Sequence, residues 1–309
     1  MKGKVVITGG AGFIGSQVCR KLLPQDVEIL IYDNFFTGRE SNLPDNADGR
    51  LSVKKGDLND PQMLRAALQE FSPDVVFHLA ALHYIPYCDE NSRETLRVNV
   101  EGTESVLEAC AQVKPRKVLI ASSAAVYRIN DAANLETDVP APYDIYGYAK
   151  YFSERLAYKF QQSTGITTIA ARIFNTYGPY ETTPHVIPRV IDQLKDGNAT
   201  LTLGDISPKR DFVYVEDMAE ALIALMEKSQ RPFDTFNIGT GVEYSVAELI
   251  EICSKALQRK IIVKSADNLF RKIDRPHLLA DVSKIKKGIG WQARFSFLEG
   301  MEKTLKFYL

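Results

Sequence analysis

The chain has 309 residues, 45% of them hydrophobic and 25% charged, with a formal net charge of −1. That suffices for one large domain or two unequal lobes around a sizeable core, and it excludes a disordered or fibrous chain. A net charge so close to zero offers no bulk attraction to nucleic acid or to an anionic membrane surface, so an anionic ligand must be held by local positive groups.

The N-terminal Met-Lys-Gly-Lys passes at once into an apolar strand and glycines, which is too short for a signal peptide. No apolar run approaches the roughly 20 residues that span a bilayer, so a soluble, cytoplasmic protein is expected. Residues 4–7 read as a buried strand, 13–23 as a helix ended by Pro24, and 27–32 and 51–55 as two further strands. Residues 61–71 have helical periodicity, with Asp60 as N-cap and Pro61 at the first helical position. A strand is predicted at 75–79, a long helix at 94–111, a strand at 117–121, a helix at 145–162 and a strand at 167–173. Continuous apolar strands alternating with amphipathic helices predict a parallel sheet covered on both faces. The fold class expected is α/β, a Rossmann-type doubly wound sheet with a smaller α/β C-terminal substrate lobe.

After Asn175 the texture changes. Residues 176–185 hold Gly178, Pro179 and Pro184 and read as an irregular connection. Shorter elements follow: helices near 187–195, 215–227 and 246–257, and strands near 200–203 and 236–238, the last expected to rejoin the large sheet. The division expected is a nucleotide-binding domain over 1–174, joined by roughly 211–240, and a substrate lobe over 175–309. Cys19, Cys88, Cys110 and Cys253 are scattered with no C-x-x-C pair. They read as reduced thiols, with no disulfide and no metal site.

The first strand runs into Thr8-Gly9-Gly10-Ala11-Gly12-Phe13-Ile14-Gly15. In a strand–loop–helix setting Gly9 permits the tight turn, Gly12 lets the backbone approach a pyrophosphate, and Gly15 lets helix and strand pack closely. Amides at the helix N-terminus face the anion. Asp33, at the end of the second strand, can accept both ribose hydroxyls of an adenosine and repels a 2′-phosphate. Arg39 lies six residues further on, so NAD is expected rather than NADP. Capping of a turn is the other use for Asp33.

Tyr146 and Lys150 stand at i and i+4 of the helix predicted at 145–162, on one face. A free phenol has a pKa near 10. A neighbouring ammonium and an oxidised nicotinamide both favour the phenolate, which is what a tyrosine general base needs. Ser122 and Ser123 follow the strand at 117–121, at the carboxyl edge where open α/β sheets bind ligands. One of these hydroxyls can bond the substrate oxygen whose proton Tyr146 takes.

These motifs, in order, resemble the extended short-chain dehydrogenase/reductase superfamily in its NAD-dependent nucleotide-sugar epimerase/dehydratase branch, and within it the UDP-glucose 4-epimerase type. The resemblance rests on Thr8 to Gly15, Asp33-Asn34 with Thr37-Gly38, Gly56-Asp57-Leu58, His78-Leu79-Ala80-Ala81, Asn99 to Thr103, Ser122 to Tyr127 and Tyr146/Lys150 with Glu154. It continues through Arg172 to Pro179, Arg210 to Asp217, Asn237 to Thr240, Arg275-Pro276 and Gly290-Trp291. It implies that Gly9, Gly12, Phe13, Ile14, Gly15, Asp33, Asn34, Thr37 and Gly38 hold the cofactor. Asp57 and Leu58 would border the adenine, Leu79, Ala80 and Ala81 would line the groove, and Asn99 would support the site from a helix. Ser122, Tyr146, Lys150 and Phe174 would meet the nicotinamide end. Tyr146 is the implied base, Lys150 its partner and Ser123 the hydroxyl that orients the sugar. Asn175, Arg210 and Arg275 would hold the diphosphate, and the nucleobase would bind near His185, Val186 and Leu203. A homodimer built on the helices at 94–111 and 145–162 is also implied.

Relatives that dehydrate resemble Thr-Asp-Glu where this chain has Ser123-Ala124-Ala125, and decarboxylating relatives resemble Thr-Ser-Glu. Without those acids the expected reaction is epimerisation, at C4, of a nucleoside-diphosphate sugar. A 4-ketoreductase, a dehydratase or decarboxylase on the same scaffold, and a non-catalytic NAD-binding sensor are the alternatives. Arg128, Ala149, Leu278 and the segment from Leu82 to Cys88 depart from the pattern of relatives. His83 and Cys88 are read as a packed histidine and an inert thiol.

Overall fold

The computed structural model describes residues 1–46, 48–266, 269 and 275–309. Its strands, in chain order, are β1 (Lys2–Thr8), β2 (Asp26–Asp33), β3 (Leu51–Lys55), β4 (Val75–His78), β5 (Lys117–Ser123) and β6 (Thr167–Ile173). They continue as β7 (Asn175–Tyr177), β8 (Thr200–Leu203), β9 (Lys209–Tyr214), β10 (Phe233–Ile238), β11 (Glu243–Ser245) and β12 (Ile262–Ser265). The helices are α1 (Phe13–Leu22), α2 (Pro61–Phe71), α3 (Ile85–Glu90), α4 (Ser92–Leu96), α5 (Gly102–Val113) and α6 (Ile145–Thr164). After them come α7 (Val186–Leu194), α8 (Val215–Lys228), α9 (Val246–Ala256), α10 (Ser283–Ile289) and α11 (Phe297–Tyr308).

Seven strands make one parallel sheet in the order β10-β6-β5-β4-β1-β2-β3. Strand order reverses between β1 and β4, and a crevice opens there at the carboxyl ends. Each sheet face is covered because the strands are apolar on both sides. Val5, Ile7, Ile29 and Ile31 pack with α1 and α8 on one face. Val6, Leu30, Val76 and Val118 pack with α2, α5 and α6 on the other. The strand predicted at 236–238 starts earlier, at Phe233, and joins the sheet beside β6. The expected doubly wound Rossmann-type sheet is therefore present.

Local signals set the helix ends. Asp60 accepts from the Met63 amide at 3.0 Å with Pro61 in the first turn, as predicted. Asp144 caps α6 through the Gly147 amide, and Gly165 ends that helix at φ +74°. Ser245/Glu248 and Ser296/Glu299 form reciprocal capping boxes on α9 and α11. The single helix expected over 94–111 is instead α4, a wide π-helical turn (Arg97–Glu101) and α5. The turn widens where Asn99 reaches out of the helix to bond the Leu82 backbone, and such bulges occur where a helix must present a side chain.

Beyond β6 the chain forms a three-stranded sheet, β11-β9-β7, and a parallel pair, β12-β8. Their core of Tyr177, Ile191, Phe212, Leu249 and Phe297 is separate from the two beneath the large sheet. Among the described residues no helix is long and apolar enough to cross a membrane. All four cysteines are buried and unpaired, and burial pushes the Cys19 and Cys110 thiols up to about 12.

Candidate functional site

One cavity of about 500 Å³ runs from the glycine loop, past the carboxyl ends of β4 and β5, to β9 and Arg275. Gly9 sits at φ +71°, where a Cβ would lie 2.6 Å from the Ala80 amide nitrogen. A Cβ on Gly15 would collide with the Gly9 carbonyl oxygen, whereas at Gly12 the only neighbour within 4 Å would be that oxygen, at 3.1 Å. The three glycines thus serve the turn, the open approach and the close packing separately. Gly12 is the N-cap of α1, whose first residues Phe13, Ile14 and Gly15 line the cavity.

Asp33 both caps and lines. Its Oδ2 accepts from the Ala11 amide at 2.9 Å and its Oδ1 from the Phe35 amide at 2.8 Å, while the carboxylate still borders the cavity. Burial raises its pKa, and the two amides pull it back. Asn34 donates to Asp57 at 3.1 Å, closing this end of the groove. Arg39 is exposed and absent from the cavity wall. A carboxylate held by two backbone amides, with Arg39 outside the wall, fits a free ribose diol, and the glycine loop ahead of α1 fits a pyrophosphate, so the residues present suit NAD.

Phe13, Ile14, Thr37, Leu58, Leu79, Ala80, Ala81, Ser122 and Phe174 line the same cavity. Two residues expected at the cofactor do not. Gly38 packs behind the wall, where a Cβ would lie 3.0 Å from Ala11 and 3.1 Å from Asp33. Asn99 is buried and grips the Leu82 amide and carbonyl, each at 2.8 Å, so it braces the 82–88 segment without touching the groove.

At the centre, Ser123, Tyr146 and Lys150 meet. Ser123 lies beside the Tyr146 phenol and acts to lower its pKa. Lys150 Nζ donates to the Ala121 carbonyl at 2.8 Å and stands 5.9 Å from the Tyr146 ring centroid. Burial lowers Lys150 to about 8. Burial also lifts the Tyr146 phenol well above its usual range, against the pull of Ser123. In these groups on their own burial dominates the phenol, and the opposing influence comes from Ser123. Ser122 is committed elsewhere, donating to buried Glu154 at 2.5 Å.

At the far end Arg210, Arg275, Asn175, Leu203, His185 and Val186 line the wall. Arg275 Nη2 donates to the carbonyls of Ala125 (3.0 Å) and Tyr127 (2.7 Å), with its guanidinium 4.7 Å over the Tyr143 ring. Arg210 Nη1 donates to the Lys209 and Arg275 carbonyls, both at 2.7 Å. Cys88 is buried outside the wall, as read, but His83 does line it. Burial holds His83 neutral, near 4, with its ring against His185 and its Nε2 3.0 Å from Thr183 Oγ1.

Glu181 is the lining residue with most chemistry that sequence reasoning missed. It is buried, burial drives its pKa far up, and its Oε1 lies 2.9 Å from His185 Nδ1. A lone carboxyl in a Gly/Pro-rich connection has no spacing to mark it. Tyr143, also in the wall, was hidden the same way, whereas Tyr84 belongs to the 82–88 segment that the sequence already set apart.

Residues 6–304 match the family model for GDP-mannose 4,6 dehydratase. The chain belongs to that family. The GDP-mannose 4,6-dehydratase family lies within the extended short-chain dehydrogenase/reductases and comprises NAD-dependent nucleotide-sugar epimerases, dehydratases and decarboxylases. This member is 33% identical to the UDP-N-acetylglucosamine 4-epimerase from Methanobrevibacter ruminantium, solved in complex with UDP-N-acetylmuramic acid. That match has a TM-score of 0.91 and covers 100% of this chain and 99% of the other. The Thermus thermophilus UDP-glucose 4-epimerase in complex with NAD is 29% identical, with a TM-score of 0.88 over 99% and 98% of the two chains. UDP-glucuronic acid decarboxylase 1 of Arabidopsis thaliana is 29% identical over 98% of this chain and 69% of that protein.

Proposed function

We propose that this chain is an NAD-dependent epimerase acting at C4 of a nucleoside-diphosphate sugar. The observation that carries the reading is the end of β5, where Ser123, Tyr146 and Lys150 line one stretch of the cavity, and Ala124 and Ala125 bring two methyl groups to the same wall. In the proposed assignment Gly9 to Gly15, Asp33, Asn34 and Asp57 hold the cofactor, and Arg210 and Arg275 take the diphosphate through charge-assisted bonds. The division of labour follows the chain: 1–174 with roughly 211–240 for NAD, 175–309 for the nucleotide sugar.

NAD bound along the groove supplies a reversible hydride acceptor. Tyr146 takes the proton of the C4 hydroxyl while Ser123 bonds the same oxygen and fixes its direction. Lys150, held on the Ala121 carbonyl, contributes positive charge beside the phenol. The 4-keto sugar turns over and Tyr146 returns the proton, so no further acid is required. The partner proposed is thus a nucleotide sugar, and a homodimer is proposed from the outward side of α6.

Glu181 supports a second reading, 4,6-dehydration, because a buried carboxyl whose pKa burial raises, in contact with His185 Nδ1, is suited to general-acid work in the same cavity. Incubation with a panel of nucleotide sugars without added cofactor, followed by NMR and mass spectrometry, separates the two. Interconversion of C4 epimers without mass change is expected, with NAD copurifying. Loss of water selects dehydration, release of carbon dioxide selects decarboxylation, and stoichiometric consumption of added NADPH selects a reductase. A Tyr146→Phe variant is expected to keep its NAD and lose turnover; near-normal turnover would remove Tyr146 from the base role.

A further inference from the structure

Glu154, Arg172 and Asn237 belong to the motifs quoted above, yet none of them lines the cavity. They lie in a continuous buried network behind it. Glu154 Oε1 accepts from Ser122 Oγ at 2.5 Å and from Arg172 Nε at 2.8 Å, and its Oε2 accepts from Arg172 Nη2 at 2.8 Å. Arg172 Nη1 donates to the Tyr127 hydroxyl at 2.9 Å, and that hydroxyl donates to Asn237 Oδ1 at 2.6 Å. The guanidinium lies 4.8 Å from the Tyr127 ring centroid. Both ends of one short segment are therefore held by the same ion pair, Ser122 by the carboxylate and Tyr127 by the guanidinium. Between them stand Ser123, Ala124, Ala125 and Val126, in a turn closed by the Ala125 amide on Ser123 Oγ at 3.1 Å.

We infer that Glu154 and Arg172 are positioning residues, a buried clamp that fixes both ends of the 122–127 turn and so aims the Ser123 hydroxyl at Tyr146. The inference rests on the reading of Ser123 as the hydroxyl that orients the sugar. Neighbouring residues of a strand point to opposite faces, so anchoring Ser122 on one face sets the direction of Ser123 on the other. Arg275 grips the same turn from the cavity side, through the carbonyls of Ala125 and Tyr127. Stability alone is a weak account of the pair, because an ion pair with both partners nine-tenths buried repays little more than its desolvation cost. What a bidentate, doubly shared pair supplies is direction.

Ser122→Ala and Tyr127→Phe each remove one handle while leaving the ion pair in place. Each is expected to slow reduction of the bound cofactor by a nucleotide sugar, followed in a single turnover by NADH absorbance, roughly tenfold. The apparent affinity for the sugar should stay within about twofold. In a Ser123→Ala background, where the hydroxyl being aimed is missing, neither change should slow the step further. Equal losses in both backgrounds, or losses that follow a fall in melting temperature, would overturn the clamp. Hydride transfer opens each of the family's reactions, so the result is independent of whether the product is a C4 epimer. Should no nucleotide sugar reduce the cofactor, the functional reading fails and the crystal structure of Tyr127→Phe decides this inference. The clamp requires the 123–125 turn, closed by the Ala125 amide on Ser123 Oγ, to be displaced there with β5 and α6 unmoved, and an unchanged turn refutes it.

Discussion

Lys150 is a lysine with almost no access to water whose charge answers to one carbonyl, that of Ala121. Burial brings its pKa from 10.5 to about 8. Between those two values the unfolded chain holds a proton that the folded chain has released, so this group makes folding more favourable as pH rises through the window. Below the folded value the buried ammonium opposes folding at its full cost. The contribution is up to about 3 kcal/mol. Cofactor-stripped Lys150→Met protein is therefore expected to be more stable than the native chain at neutral pH in chemical denaturation. The two should converge as pH approaches 10, since groups common to both cancel in the difference. A difference that stays flat with pH would mean that the lysine is better solvated than its burial implies. The cost is the physical form of a functional constraint: the same desolvation leaves Tyr146 a poor base until a further positive charge stands beside it.

At the level of elements, the glycine loop separates two effects that a motif merges. Gly15→Ala puts a methyl group into the Gly9 carbonyl and Gly10 Cα, backbone that cannot move aside cheaply. Gly12→Ala meets, among the described residues, the Gly9 carbonyl oxygen at 3.1 Å, which needs to give by only a few tenths of an ångström, and the position lines the groove. Gly15→Ala should lower stability by about 1–3 kcal/mol, the usual cost of overpacking, and lose NAD with it. Gly12→Ala should melt close to the native chain but copurify with little NAD, measured by nucleotide release on denaturation. Loss of stability at both positions would remove the distinction. The loop and the large sheet were legible because their signals are local: a glycine spacing between a strand and a helix, and continuous apolar runs such as that of β1. Strands β7 and β11, three residues each, are too short for any period to register. Asn99 reaches Leu82 through a π-helical turn, and Glu181 enters the cavity from an irregular connection, so both depend on contacts across the chain. The motif positions Glu154 and Arg172 could be quoted, but not their joint hold on Ser122 and Tyr127, which only the packing of α6 against β5 and β6 creates.

For the molecule as a whole, α6 carries two functions on opposite sides. Tyr146 and Lys150 face the cavity, and Tyr148 and Phe152, two residues on from each, are turned about 200° away along a helix of 3.6 residues per turn. Both outward rings are 54% exposed, and Leu96 of the neighbouring α4 is 43% exposed beside them. An apolar stripe on a helix whose other side is already packed suits a two-fold interface, in which each residue meets the same surface of a second copy. The native protein is expected to sediment as a dimer at micromolar concentration. Tyr148→Glu with Phe152→Glu should yield a monomer, because two-fold symmetry sets four new carboxylates against one another. The monomer should still copurify with NAD, since Lys150 is fixed from within the protomer by the Ala121 carbonyl. A native chain that sediments only as a monomer would refute the assembly. A variant that loses both its partner and its NAD would show instead that the outward side of α6 supports the inward one, and that the site is complete only in the pair.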